Sequence, residues 1–200
     1  DMVRHTDTDG SVYYTKVNAD GQEIRYDASN TYSVSADDYQ VLGHNSPDWT
    51  MGFQNTLTYK DFDLSIYMYM RWGQMIKYSV LTDYDPTGLN NYPTYFNVWS
   101  ETNPSNDFPA MDASIKDKLS YYPGFAALSY VDGSFFKIKN ITLGYTMPDK
   151  LAKKLGLGKL RVYGTITNPF VIAKSHLLKD YDPEMNGGLN YPLTKQLVFG

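Results

Sequence analysis

The sequence contains no cysteine and no long apolar run, and these two absences narrow the classes of protein to consider. Without cysteine, neither disulfide bridges nor cysteine-ligated metal sites can form. No stretch approaches the roughly 18 consecutive apolar residues that a membrane-spanning helix requires. A disulfide-stapled domain and a bundle of transmembrane helices are therefore both excluded.

Excess positive charge and recognisable catalytic motifs are also missing. The formal net charge is -4, whereas a nucleic-acid-binding surface is basic, so nucleic acid is not an expected partner. The three histidines, His5, His44 and His176, stand far apart and have no partner at metal-ligand spacing. Neither a G-x-S-x-G motif nor a phosphate-cradling glycine loop occurs. The sequence therefore predicts a protein that is not an enzyme and that holds no metal or other cofactor.

Aromatic side chains, in contrast, are abundant. They make up 16% of the 200 residues, with 19 tyrosines, beside many Asn, Asp, Gly and Pro residues. A polar average with so many rings fits either a β-rich binding protein or a β-barrel whose lipid-facing residues alternate with polar ones.

Alternating apolar and polar residues predict antiparallel strands that are joined alternately by short and long connections. The second strand, residues 62–72, is long for a globular protein but suits a membrane strand of about 9–11 residues. A tight turn at Lys60 and Asp61 precedes it, and a short helix from Asp149, its predicted cap, to Gly156 follows the third strand. The other strands are predicted at residues 53–60, 134–148, 159–168 and 195–200. This rhythm is typical of an outer-membrane barrel, with an antiparallel sandwich as the alternative.

A barrel would assign one face of each strand to lipid and the other to the lumen. In the second strand, the face expected to contact lipid comprises Phe62, Leu64, Ile66, Met68 and Met70. The face expected to line the lumen comprises Ser65, Tyr67, Tyr69 and Arg71. Aromatic rings near the short turns are expected to form a girdle at the headgroup boundary: Tyr59, Phe62 and Tyr145.

The third strand alternates out of phase in its two halves. In a regular strand its apolar residues would lie on opposite faces, Phe136 and Ile138 against Ile141, Leu143 and Tyr145. Turning the second group outward would also turn Lys137 and Lys139 toward lipid, at up to about 2–4 kcal/mol each near the midplane. One extra residue near Lys139 and Asn140 removes the conflict, because a bulge re-aims the side chains that follow it. We therefore predict a β-bulge there, with both lysines facing the wet lumen.

Four blocks of sequence follow one another in order: DWTMGFQNTLTYKDFDLSIYMYMRWGQMI, YVDGSFFKIKNITLGYTMP, LRVYGTITNPF and YDPEMNGGLNYPLTKQLVFG. With VLGHNSPDW upstream they cover most of residues 41–200, and residues before 40 match poorly. This ordered set resembles the last strands and loops of SusC/RagA-type TonB-dependent outer-membrane transporters.

The resemblance implies an all-β fold: antiparallel transmembrane strands from the C-terminal portion of a plugged barrel of 22 strands, with long extracellular loops. It implies a place in the bacterial outer membrane and the import of oligosaccharides or peptides. The implied partners are the lipid bilayer, a SusD-like surface lipoprotein that acts as a lid, and TonB, which would act through a missing N-terminal part. A soluble β-sandwich that binds carbohydrate or mediates cell-surface contacts is the alternative.

The chain is thus predicted to comprise six consecutive segments, and the plug domain is expected to be absent. They are a polar loop region at 1–48, a strand hairpin at 49–72, a long extracellular loop at 73–133, a strand hairpin with a short periplasmic helix at 134–168, an extracellular loop at 169–194 and a truncated last strand at 195–200.

Aromatic and polar residues of the two later long loops are the candidates for contact with substrate or lid, because rings beside amides and carboxylates can stack on sugars or grip peptides. The first loop supplies Tyr84, Tyr92, Tyr95, Trp99, Tyr121 and Tyr122. The second is expected to be ordered, and it supplies Tyr181, Asp182, Glu184, Asn186 and Tyr191. Packing of the rings within their own loop is the alternative for each of them.

Overall fold

The computed structural model describes residues 2–18, 20–27, 29–30, 39–83, 88–89, 91, 93–111 and 127–200. The chain divides into two compact units, Asp1–Val41 and Leu42–Gly200. In the described ranges, no helix is both long enough and apolar enough to cross a membrane.

The first unit contains a small antiparallel sheet. Its three strands are β1 (Met2–Thr6), β2 (Val12–Val17) and β3 (Glu23–Tyr26), in the order β1-β2-β3. No strand was predicted in this polar segment, because each strand is short and its apolar residues are few. The dipeptides Asp9-Gly10 and Asp20-Gly21, which are typical of turns, fall between the strands.

The second unit is built around a larger sheet in which every neighbouring pair of strands is antiparallel. Its strands are β4 (Trp49–Tyr59), β5 (Phe62–Trp72), β8 (Phe135–Thr146), β9 (Arg161–Ala173) and β10 (Gln196–Phe199). Their order across the sheet is β10-β9-β8-β5-β4. The predicted bounds of β5 are confirmed, and so is the tight turn before it, where Lys60 has a φ of 53°.

The fourth predicted strand is longer than expected. It was predicted to end at Asn168, but β9 continues through Pro169 to Ala173. The strand passes the proline because the register to β8 is irregular there: Thr167 pairs with Asn140, whereas Phe170 pairs with Ile138. Asn168 and Pro169 therefore lie outside the ladder, where a missing backbone N–H costs no hydrogen bond.

The short helix α1 (Asp149–Lys154) forms where the sequence predicted it. Its predicted cap is wrong: Pro148 is the N-cap, no side chain caps the helix, and Asp149 is the first helical residue. Gly156 ends the helix as expected, in the left-handed conformation with a φ of 72°, and its N–H donates to the carbonyl of Lys153 at 3.0 Å.

The segment predicted as one long loop, residues 73–133, contains structure of its own. Strands β6 (Met75–Lys77) and β7 (Tyr130–Asp132) form a two-stranded sheet, and a 3-10 helix covers Ser79–Asp83. The buried apolar cluster of the described chain lies mainly here and comprises Ile76, Tyr78, Leu81, Phe96, Phe108, Val131 and Leu178. The core therefore stabilises the loop end of the large sheet.

The predicted bulge in β8 is confirmed. Against β5, Asn140 pairs with Tyr67 and Ile138 pairs with Met68, so Lys139 is skipped. Lys139 is also skipped in the pairing of β8 with β9. Because the bulge takes Lys139 out of the pairing, the two apolar halves of β8 lie on the same face of the sheet.

Candidate functional site

One face of the large sheet is continuously apolar. Directly opposed residues share a face, and the five apolar residues of β5 are each opposed by an apolar residue of β8: Phe62 by Tyr145, Leu64 by Leu143, Ile66 by Ile141, Met68 by Ile138 and Met70 by Phe136. Several of these side chains are open, with Phe62 50% and Leu143 53% exposed. Contact of this face with lipid stays a prediction.

The three predicted girdle residues lie in one row across the sheet at its short-turn end. Tyr59 is opposed by Phe62, and Phe62 is opposed by Tyr145. The rings of Phe62 and Tyr145 have centroids 4.8 Å apart. The common height of the three residues is thus a feature of the register, and their place at a headgroup boundary stays a prediction.

The opposite face of the sheet is polar and carries a folded loop. Residues 181–188, which we call the strap, contact the inner side chains of β5 and β8. The ammonium group of Lys137 donates to Asp182 and, at 2.9 Å, to Glu184. The ammonium group of Lys139 donates to Glu184 at 2.5 Å. These three ion pairs join β8 to the strap.

The strap has a defined local structure. A 3-10 turn covers Pro183–Met185, and the side chain of Asp182 accepts from the backbone N–H of Glu184 at 3.1 Å. Asn186, at the end of the turn, adopts the left-handed conformation with a φ of 52°. The guanidinium group of Arg71 on β5 donates to the side-chain oxygen of Asn186 at 3.3 Å.

The strap is also fixed to the loop core. The backbone N–H of Ser79 donates to the carbonyl of Gly187 at 3.0 Å. The ring of Tyr181 packs on Tyr78 with centroids 4.5 Å apart, and its hydroxyl donates to the carbonyl of Gly188 at 3.0 Å. Burial raises the pKa of the Tyr181 hydroxyl. The ring thus packs within the loop region, and its contact with substrate or lid stays a prediction.

The charges of the strap are balanced by the two lysines. Burial alone would raise the pKa of Glu184, but hydrogen bonds from Lys139 and Lys137 outweigh it and lower this pKa below its ordinary range. Both oxygens of the carboxylate accept from an ammonium group. The glutamate thus stays ionised although it is partly buried.

A cavity of about 570 Å³ lies beside the strap. Its wall includes the upper part of β9, from Asn168 to Val171, and the segment that leads into β10. Lys137, Tyr181 and Asp182 also line it, so the strap forms part of its boundary. Lys179 and Lys195 contribute further positive charge. Asp180 and Asp182 contribute carboxylates, so the cavity combines an apolar wall with charged groups of both signs.

The structure brings together only some of the predicted site residues. Tyr181, Asp182, Glu184 and Asn186 all lie in the strap, whereas Tyr191 is 98% exposed. In the first loop, Tyr95 packs against the apolar core and Trp99 is exposed. The other four residues, Tyr84, Tyr92, Tyr121 and Tyr122, lie outside the described residues. A role for any of these residues in contact with substrate or lid stays a prediction.

Sequence reasoning assigned the two lysines of β8 to a wet lumen and did not connect them to the strap. Lys137 does lie on the polar face, but its side chain is only 1% exposed, because the strap covers it. A signal was available in the sequence, since Lys137 and Lys139 have the same spacing as Asp182 and Glu184. Two cations on a strand and two anions in a loop that share the same spacing can pair with each other when the loop lies against the strand.

The arrangement of acidic and histidine side chains bears on metal binding. Among the described residues, no group of three or more such side chains could hold one. His176 instead pairs with Asp107 at 2.9 Å, and His5 bonds to the hydroxyl of Thr15 at 2.8 Å.

An antiparallel sheet with one exposed apolar face and one polar, loop-covered face defines a wall segment of an outer-membrane β-barrel protein. No protein-family model matches the chain. TonB-dependent receptor P3 of Formosa agariphila is 31% identical over 169 residues, which cover 83% of this chain and 16% of that protein. TonB-dependent receptor SusC of Bacteroides thetaiotaomicron is 26% identical over 200 residues, which cover 94% of this chain and 18% of that protein.

Solved structures agree with these relatives. The RagAB peptide transporter superposes with a TM-score of 0.64 at 25% identity, over 99% of this chain and 22% of that chain. The RagAB peptide importer in its closed-closed state gives a TM-score of 0.63 at the same identity. The chain belongs to the SusC/RagA type of TonB-dependent outer-membrane transporters.

The chain spans about a sixth of the length of the curated relatives it matches. Its strands are barrel strands, and the barrel is not closed by these residues alone. Its location is the bacterial outer membrane. The sandwich alternative from the sequence is therefore wrong.

Proposed function

We propose that the chain contributes barrel wall and extracellular loops to a TonB-dependent importer of oligosaccharides or peptides. The observation that carries the proposal is the division of one sheet into an exposed apolar face and a polar face with an ordered strap. An apolar outer band and a polar interior are what a barrel in lipid requires. The names of the relatives support import, since the RagAB neighbours are a peptide importer.

The layout follows from the same division. The turn at Lys60-Asp61 and helix α1 lie at the periplasmic end, whereas the segments 73–133 and 169–194 lie outside the cell. The plug and the TonB-contacting segment belong to a part of the protein beyond these residues. A SusD-like lipoprotein acts as the lid over the loop end. The wall and loops guide substrate and carry out no covalent chemistry.

Uptake in the native host tests this function. The gene that encodes the chain is deleted and then restored, and uptake of fluorescently labelled casein peptides and labelled maltooligosaccharides is measured with and without a protonophore. We expect at least one probe to depend on both the gene and the proton gradient. Equal uptake of both probes by the deletion and the restored strain would refute import of these substrate classes.

A further inference from the structure

The contact between β8 and the strap buries charge to an unusual extent. The side chain of Lys137 is 1% exposed, and those of Asp182 and Glu184 are 14% and 18% exposed. A buried ammonium group is costly unless it is paired and hydrogen-bonded. Lys137 meets two carboxylates, and both belong to the strap. The strand and the strap therefore depend on each other.

The bulge places the second lysine, Lys139, outside the pairing of β8 with its two neighbouring strands. Lys139 is the residue that both neighbouring strands skip. Its side chain reaches Glu184 and lies over the ring of Tyr69, with the nitrogen 4.7 Å from the ring centroid. Two cations of one strand thus converge on a single carboxylate of the strap.

The position of the strap has a consequence for the cavity beside it. Tyr181 and Asp182 form part of the cavity wall, and so does Lys137. If the strap lifted from β8, this wall would open and the buried ammonium group would face water. The ion pairs therefore determine the shape of the surface that the polar face presents.

We propose that Lys137 and Lys139 are positioning residues for import, which hold the strap on the inner face of β8 through Asp182 and Glu184 and so complete the substrate-facing surface beside it. This inference rests on the proposed import function. The lysines affect substrate indirectly, by positioning the strap, because their own charges are neutralised by its carboxylates.

The test compares two amide substitutions in the full-length protein in outer membranes of the native host. Glu184→Gln keeps the shape of the side chain and removes the charge that pairs with both lysines. Asp63→Asn is the matched control, because Asp63 pairs with Arg161 at 2.6 Å in the same sheet but at its short-turn end. Amide hydrogen exchange of residues 181–188 reports whether the strap opens, independently of transport.

We expect exchange in the strap to accelerate about tenfold or more in Glu184→Gln and to stay within about twofold in Asp63→Asn. Lys139→Met should also accelerate it. The double variant Lys139→Met/Glu184→Gln should exchange little faster than the faster single variant, because the two residues share one contact. Unchanged exchange in Glu184→Gln, or fully additive effects in the double variant, would overturn the proposal.

Uptake then separates a positioning role from a merely structural one. For the labelled peptide or maltooligosaccharide that the gene imports, Glu184→Gln should reduce uptake at an unchanged amount of folded barrel, as judged by heat-modifiable migration. Normal uptake with an open strap would overturn the positioning role and leave the import function standing. If gene deletion left the uptake of both probes unchanged, the proposed function itself would be refuted.

Discussion

Replacement of Gly187 by alanine tests how tightly the strap is seated. Gly187 has a φ of 83°, which costs an L-residue about 1–2 kcal/mol. A Cβ atom there would lie 2.0 Å from the carbonyl oxygen of Lys77, a backbone atom that cannot swing away. The strap must move, and the hydrogen bond from Ser79 to Gly187, 3.0 Å long, is weakened. Such a bond contributes about 0.5–1.5 kcal/mol.

The two costs sum to about 1.5–3.5 kcal/mol against the seated strap. At about 1.4 kcal/mol per factor of ten, amide exchange of residues 181–188 should accelerate about 10- to 300-fold. The assay is hydrogen exchange of the full-length protein, read by mass spectrometry. Strands β5 and β8 should keep their protection, because the change is confined to the strap.

The neighbouring glycine provides the control. A Cβ on Gly188 would meet its nearest atoms, Asn190 Nδ2 and the carbonyl oxygen of Met185, at 3.6 Å, which is ordinary van der Waals contact. Gly188→Ala should therefore change strap exchange by less than about threefold. Equal exchange in the two alanine variants would refute the reasoning, since only Gly187 combines a positive φ with a Cβ position that meets backbone atoms.

Three other changes test the wall and the charges. Ile66→Arg on the apolar face should destabilise the barrel by up to about 2–4 kcal/mol near the midplane and so lower the amount that folds. Ser65→Arg on the polar face should be tolerated. Equal folded amounts of the two variants on heat-modifiable gels would contradict the assignment of faces. Deletion of Lys139 makes Ile138 and Asn140 neighbours, so β8 becomes a regular strand whose apolar residues still share one face, and the folded barrel should persist; loss of the folded band would contradict the pairing found across the bulge. The pKa of Glu184 lies below its ordinary value of 4.5, so its contribution is complete above that pH and is lost as the pH falls through the lowered pKa. Strap protection, corrected for intrinsic exchange rates, should hold from pH 7 to about 5 and fall only as the pH is lowered below the ordinary value of 4.5. A loss between pH 7 and 6 would contradict this sign.

The large sheet was predictable because its strands depend on a local pattern. Strict alternation over residues 62–72 predicts β5 with its observed bounds. The bulge was predictable for the same reason, since a phase change between Ile138 and Ile141 conflicts with a single apolar face. The continuation of β9 beyond Asn168 was not, because Pro169 is a strand breaker unless the neighbouring register is irregular at the same level.

The strap and the loop core were less predictable than the large sheet, because they depend on long-range contacts. Lys137 and Glu184 are 47 positions apart in the sequence. No periodicity links them, and the equal spacing of the two lysines and the two carboxylates does not by itself predict that they meet. Similarly, Phe96 and Phe108 stack with centroids 4.5 Å apart inside a segment that the sequence presents as polar loop. Turn residues predict that such a segment leaves the sheet, but not where its rings pack.

The irregularities of β8 and β9 occur at one level of the sheet, and this level separates two kinds of wall. Below it, β9 is paired on both sides, with β8 and, from Gly164 to Thr167, with β10. At that level β8 skips Lys139 and β9 skips Asn168 and Pro169. Above it, β9 keeps its pairing with β8, and the cavity begins at Asn168 where the pairing with β10 ends. Since bulges bend strands and re-aim side chains, the shared distortion ends the regular wall where the strap and cavity begin. The residue that both neighbouring strands skip, Lys139, thus also supplies one of the two cations that pair with the strap.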